Sequence, residues 1–151
     1  MTNNDIYDTA IAAFRYQGIR MTDFETLAAH LHVPVSTVCE RFASSKDVLV
    51  LSTVRFEIER EYGYVNSLFL SLSPLRFIDK LYVHAMRFFH SFHSSFFKDL
   101  KHYHTIRRQY KNLIVTLLTF VEGSTRHCNP ASCKDYAQKN VILSCFLLSF
   151  V

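Results

Sequence analysis

Glycine and proline are scarce in this chain, three of each in 151 residues. Few punctuators exclude an architecture of many short strands and turns and favour long helices with short connections. No run of apolar residues is long enough for a bilayer. The longest, Val141 to Val151, is about half of what a span needs. The first ten residues, MTNNDIYDTA, lack the basic flank and apolar core of an export signal. A cytoplasmic location is therefore expected, with Cys39, Cys128, Cys133 and Cys145 as reduced thiols. Also missing are a nucleophile with its base and orienting partner, paired catalytic carboxylates and a Gly-rich phosphate loop. Catalysis is not expected.

What the chain does have is apolar surface. Hydrophobic residues make up 49% and aromatic residues 15%, which supports a packed interior and argues against disorder. The net charge of +4 is unevenly spread. Residues 1–50 hold four Lys/Arg against six Asp/Glu, a net of −2, whereas residues 74–111 hold eight against two, a net of +6.

The hydrophobic rhythm is helical throughout. Apolar residues at 6, 7, 10, 11, 13 and 14 predict a first helix over Asp5–Gln17, stopped by Gly18. Thr22 and Glu25 have the spacing of a capping box, so a second helix is expected from Asp23. Its inner face is Phe24, Leu27, Ala28 and Leu31. His32-Val33-Pro34 breaks it, and a third helix follows over Val35–Phe42 with Val38 and Phe42 inward. Ser44 or Ser45 caps a fourth, Lys46–Ser67, in which Glu57 and Glu61 are spaced to pair with neighbouring Arg residues. Pro74 opens a fifth, to about Phe92, apolar on two faces and so expected to be central and mostly buried. Ser94 or Ser95 starts a short sixth. Thr105–Glu122 is a seventh, ended by Gly123, and a last helix is expected from about Ser132.

Residues 23–42 carry the strongest functional signal. Two short helices around a tight turn can place the second helix in a DNA major groove. This requires a small residue at the crossing, an apolar lock beneath the second helix and short polar side chains on its outer face. Ala28 supplies the first and Val33, Val38 and Phe42 the lock, while Val35, Ser36, Thr37, Cys39, Glu40 and Arg41 include the outward positions. On spacing alone, an ordinary helical hairpin in an all-α protein accounts for the same residues.

The stretch IYDTAIAAFRYQGIRMTDFETLAAHLHVPVSTVCERFASSKDVL resembles the TetR family of bacterial transcription regulators. The resemblance lies in Ala10, Phe14 and Gly18 of the first helix, the Thr before the second, Leu27-Ala28, Thr37-Val38 with Phe42, and the Ser-Lys that opens the fourth. SSFFKDLKHYH and the basic-then-apolar helix after it resemble later parts of that family. The resemblance implies an all-α homodimeric repressor. Its three N-terminal helices (residues 1–46) would bind double-stranded operator DNA, and a helical ligand-binding and dimerisation domain (residues 47–151) would follow. Ligand binding would shift the pair of reading heads between two states. By the same resemblance, Thr22, Ser36, Thr37 and Lys46 are expected DNA contacts, with Val35, Cys39, Glu40 and Arg41 beside them.

Several positions depart from the family pattern. His32 stands where a turn Gly is usual and is expected to adopt a left-handed conformation. Pro34 replaces a Ser cap, Cys39 an aromatic phosphate contact, and Glu40 puts a negative charge where a donor is common. One extra Ser lies between Phe42 and Lys46. The chain stops within VILSCFLLSFV, without the family's usual last helix. A truncated product, a short member, and a terminal helix that docks on a second copy each fit that ending. An alternative function follows from these departures: a relative that no longer binds DNA and acts by protein–protein contact through its apolar last helix.

Other constellations have plain readings beside functional ones. His84, His90, His93, His102 and His104 cluster in sequence, with His90 and His93 three apart on the fifth helix, but no Cys or carboxylate joins them at ligand spacing. No metal or cofactor is expected. His127, Cys128 and Cys133 are ordinary thiols and imidazole, or a redox sensor if Arg126 or Lys134 lowers a thiol pKa. Arg107, Arg108 and Lys111 form a solvated basic face or meet an acidic ligand or partner. The aromatic residues from Phe69 to Tyr110 are core, or they line a pocket for a small apolar or aromatic ligand. In the second case Tyr82, Phe89, His93 and Tyr110 are the candidates.

Overall fold

The computed structural model describes residues 2–125. Among them every regular element is helical: α1 (Asn3–Gln17), α2 (Phe24–Leu31), α3 (Val35–Arg41), α4 (Lys46–Ser71), α5 (Pro74–His90), α6 (Phe96–Leu100) and α7 (His104–Thr125). None of these helices is long and apolar enough to cross a membrane. The expected last helix, His127, Cys128, Cys133, Cys145 and the run Val141 to Val151 lie outside the described residues.

The residues form two compact units. Of the described residues, 2–58 and 91–107 make one, and 59–90 with 108–125 the other. This division falls elsewhere than the expected boundary after Lys46. Fourth-helix residues up to Ile58 and the segment holding α6 join the N-terminal helices because both carry their core side chains.

In the first unit, α1 buries Ile6, Ala10, Ile11 and Phe14 on one stripe. Thr2 and Asp5 close a capping box at its start, so the helix begins two residues earlier than its apolar rhythm indicates. α2 packs against both α1 and α3 through buried Leu27 and Ala28. Its cap corrects the sequence reading. Asp23, not Thr22, is the N-cap, and its carboxylate accepts from Thr26 N at 2.8 Å. Beneath these helices lie Val38, Phe42, Leu49, Val50, Val54, Phe96, Leu100 and Ile106, all buried.

Glu57 and Glu61 do not simply pair along their own helix. Glu57 is fully buried and accepts from Arg15 Nη2 of α1 at 2.6 Å, while in the second unit Glu61 meets His84 Nε2 of α5 at 2.5 Å. Helix spacing places side chains four apart on the same face, but it does not decide which partner a buried carboxylate takes. Burial turned these carboxylates toward partners on other helices.

Three helix ends fall elsewhere than expected. α4 continues to Ser71, and the hydroxyls of Ser67 and Ser71 bond back to the carbonyls of Tyr64 and Leu68 within it, so neither serine ends the helix. α7 runs through Gly123, since a lone glycine weakens a helix by about 1 kcal/mol but does not by itself end it. α5 stops at His90, so His93 is not on it. The His93 ring instead accepts from Ser95 N–H at 3.2 Å and lies 3.0 Å from the Ser95 hydroxyl. α5 itself is not mostly buried. It buries one stripe, Phe77, Ile78, Leu81, Ala85, Phe88 and Phe89, and exposes Arg76, Lys80, Val83 and Arg87.

Candidate nucleic-acid interface

The α2–α3 turn is built by its carbonyl acceptors. Val33 N–H bonds to Ala28 O at 3.1 Å and His32 N–H to Ala29 O at 3.3 Å, the paired bonds of a Schellman motif. That motif requires a left-handed residue, and His32 takes it at φ 54°, ψ 41°, as the sequence reading expects. α3 ends the same way. Ser44 N–H bonds to Cys39 O at 2.8 Å, with Ala43 at φ 48° and Ser44 at φ 53°. Pro34 precedes α3 without any side-chain cap and sets its entry by its fixed φ of −59°.

Val38 is completely buried and Phe42 nearly so, which fixes the inner side of α3. At 3.6 residues per turn, Glu40 lies roughly 160° from both, at the centre of the outward face. Ser36 lies one turn before it on the same side, and Thr37 and Cys39 flank the pair, half-buried. Val35 is 36% exposed at the edge.

The cations are less free than the sequence implies. Arg41 Nη1 donates to Asn3 Oδ1, tying the end of α3 to the start of α1. Lys46 Nζ donates to the Arg20 carbonyl at 2.8 Å. Thr22 is fully buried. Its hydroxyl donates to Gly18 O at 2.9 Å and its N–H to Ile19 O at 3.3 Å. Thr22 is thus turned into the loop before α2, where it is buried and not presented as the DNA contact expected of it, and Asp23 takes the capping position.

Sequence reasoning missed the cluster around Arg20. Its Nε lies 2.8 Å from Asp99 Oδ1 and its Nη2 3.0 Å from His102 Nε2. Asp99 is almost wholly buried, and its Oδ2 has no hydrogen-bond partner. Nearby, burial raises the pKa of Tyr103, and the Asp47 carboxylate, to which it is hydrogen-bonded, raises it further. These residues lie some 80 positions apart, so no local spacing signals them.

The expected ligand-pocket residues are not gathered in one unit. Half-buried Tyr82 and buried Phe89 belong to the second unit and His93 to the first, while the Tyr110 side chain lies outside what is described. His93 is exposed because α5 ends before it. An open groove of about 620 Å³ instead lies along α1 and α2, lined by Ala12, Ala13, Tyr16 and His30 among others. Among the described residues no group of three His, Cys, Asp or Glu is placed to hold a metal ion. Comparison with family models, with curated proteins and with solved structures finds no match.

Proposed function

We propose that this chain is a TetR-like DNA-binding transcription regulator, a ligand-responsive repressor that acts as a cytoplasmic homodimer on double-stranded operator DNA. The observation that carries the reading is the α2–turn–α3 unit. A buried Ala28 lets two short helices cross, a left-handed His32 turns the chain, and Val38 with Phe42 hold α3 so that Ser36 and Glu40 face out. The sequence pattern from Ile6 to Leu49 supports the same reading. The positions that serve it are Val35, Ser36, Thr37, Cys39 and Glu40 on α3, with Arg41 and Lys46 at its flanks.

A second reading, a relative that has lost DNA binding and acts through protein contacts, is favoured by one observation. Arg41 and Lys46, the cations nearest α3, are both engaged within the chain. Displacement of either from its partner by a phosphate is then part of the cost of docking.

Binding to a genomic fragment library at several salt concentrations, with native mass in parallel, separates the two. The regulator reading expects a dimer whose affinity falls steeply with salt, because phosphate contacts release counterions. A monomer with no salt-dependent binding would sink it.

A further inference from the structure

Glu40 stands on the outward face of α3, in the last turn of the helix that would enter the groove. It is exposed, about half a turn of the helix from buried Val38 and Phe42, and one turn after exposed Ser36. A carboxylate there accepts hydrogen bonds and donates none. Against a phosphate it is repelled, so it does not serve as a backbone contact. Over a base edge it needs a donor. The major groove offers only two kinds, the adenine N6 amino group, which sits beside the N7 acceptor, and the cytosine N4 amino group, which has no acceptor beside it on its own base. Arg41, the neighbouring cation, is drawn away to Asn3 and does not turn Glu40 aside in a local ion pair.

We propose that Glu40 is a specificity-determining residue that accepts a hydrogen bond from cytosine N4, so that each half-site carries a required cytosine under the last turn of α3. The proposal rests on the DNA-binding reading above. It gives the glutamate two effects of opposite sign. The negative charge lowers affinity for DNA of any sequence, and the cytosine contact restores it at the right sequence alone. Discrimination of this kind works by rejecting wrong partners as well as by holding the right one.

The test is selection of bound sequences from randomised duplexes by the full chain and by Glu40→Ala and Glu40→Gln. Circular dichroism would check that each variant is folded. The wild-type chain is expected to enrich a motif with a fixed cytosine. In Glu40→Ala that column loses its preference by about fivefold to a hundredfold, the range a single base-pair contact contributes, while binding to unrelated DNA tightens. In Glu40→Gln the column moves toward adenine, whose N6 and N7 suit an amide. A motif whose columns are unchanged in Glu40→Ala, with affinity raised uniformly, overturns the proposal and leaves the DNA-binding reading in place. So does a change confined to a column other than cytosine. Enrichment of no sequence by the wild-type chain overturns both.

Discussion

A β-carbon placed on Gly18 would lie 2.3 Å from the Ser95 hydroxyl. Gly18 also has φ 84° and ψ 166°, a region essentially closed to side chains. The residue that ends α1 therefore also lets the segment before α6 approach it. Gly18→Ala should lower stability by about 2–3 kcal/mol, mostly from backbone strain, which a side chain cannot relieve. The steric part acts through Ser95, whose hydroxyl can swing away only by giving up its contact with His93. Urea unfolding of Gly18→Ala, Ser95→Ala and the double variant should show the pair to be less destabilised than the summed singles. Strict additivity would mean that the close approach costs nothing.

His32 holds its left-handed backbone without being glycine, and Ala43 does the same after α3. A non-glycine residue pays roughly 1 kcal/mol for that conformation, partly offset by the stiffer unfolded chain. His32→Gly and Ala43→Gly should each raise stability by about 0.5–1 kcal/mol. His32→Val should lower it, since a branched β-carbon fits this region worst. Melting temperatures of the three variants check this. A drop in both glycine variants would show that the turns are not left-handed in solution.

Asp23 caps α2, and the Thr26 side chain and then its backbone N–H hold the carboxyl below its ordinary pKa. The folded state thus binds its proton less readily than the unfolded chain. The cap's contribution is complete above about pH 4 and is lost as pH falls through the lowered value. Asp23→Ala should cost about 1 kcal/mol at neutral pH. Asp23→Asn should cap nearly as well and remove this residue's part of the acid destabilisation. Stability measured from pH 7 down to pH 3 tests it, and parallel acid limbs in Asn and wild type would exclude the cap as their source.

The Arg15–Glu57 pair joins α1 to α4, with the Arg15 guanidinium 5.0 Å from the centre of the Phe92 ring. The Glu57 side chain is wholly buried and that of Arg15 is 32% exposed. Arg15→Ala should cost about 2–4 kcal/mol, less than for a fully buried pair, because water still screens the arginine. Replacing both residues by leucine should come close to neutral, since neither charge then needs a partner. If the double variant is as unstable as Arg15→Ala, the pair contributes more than the compensation of one buried charge by a partly exposed one.

The helical character and the approximate bounds of α1 to α3 follow from sequence alone, while the left-handed turn at His32 is expected from the family resemblance. Apolar spacing, scarce punctuators and local backbone geometry act within a few residues, and those are the distances a sequence displays. The chain order also identifies Val38 and Phe42 as inward and thereby places Glu40 outward. Tertiary structure decided the rest. Thr22 or Asp23 could cap α2 by spacing, and the choice was made when Thr22 turned inward to Gly18. Lys46 and Arg41 are free cations in the sequence, but the neighbouring Arg20 carbonyl and Asn3 engage them in the fold. Glu57 reads as a surface residue until burial forces it to a partner 42 positions away. Charged and polar groups gain most from partners when water is removed, and which groups lose their water is settled by packing between segments distant in the chain.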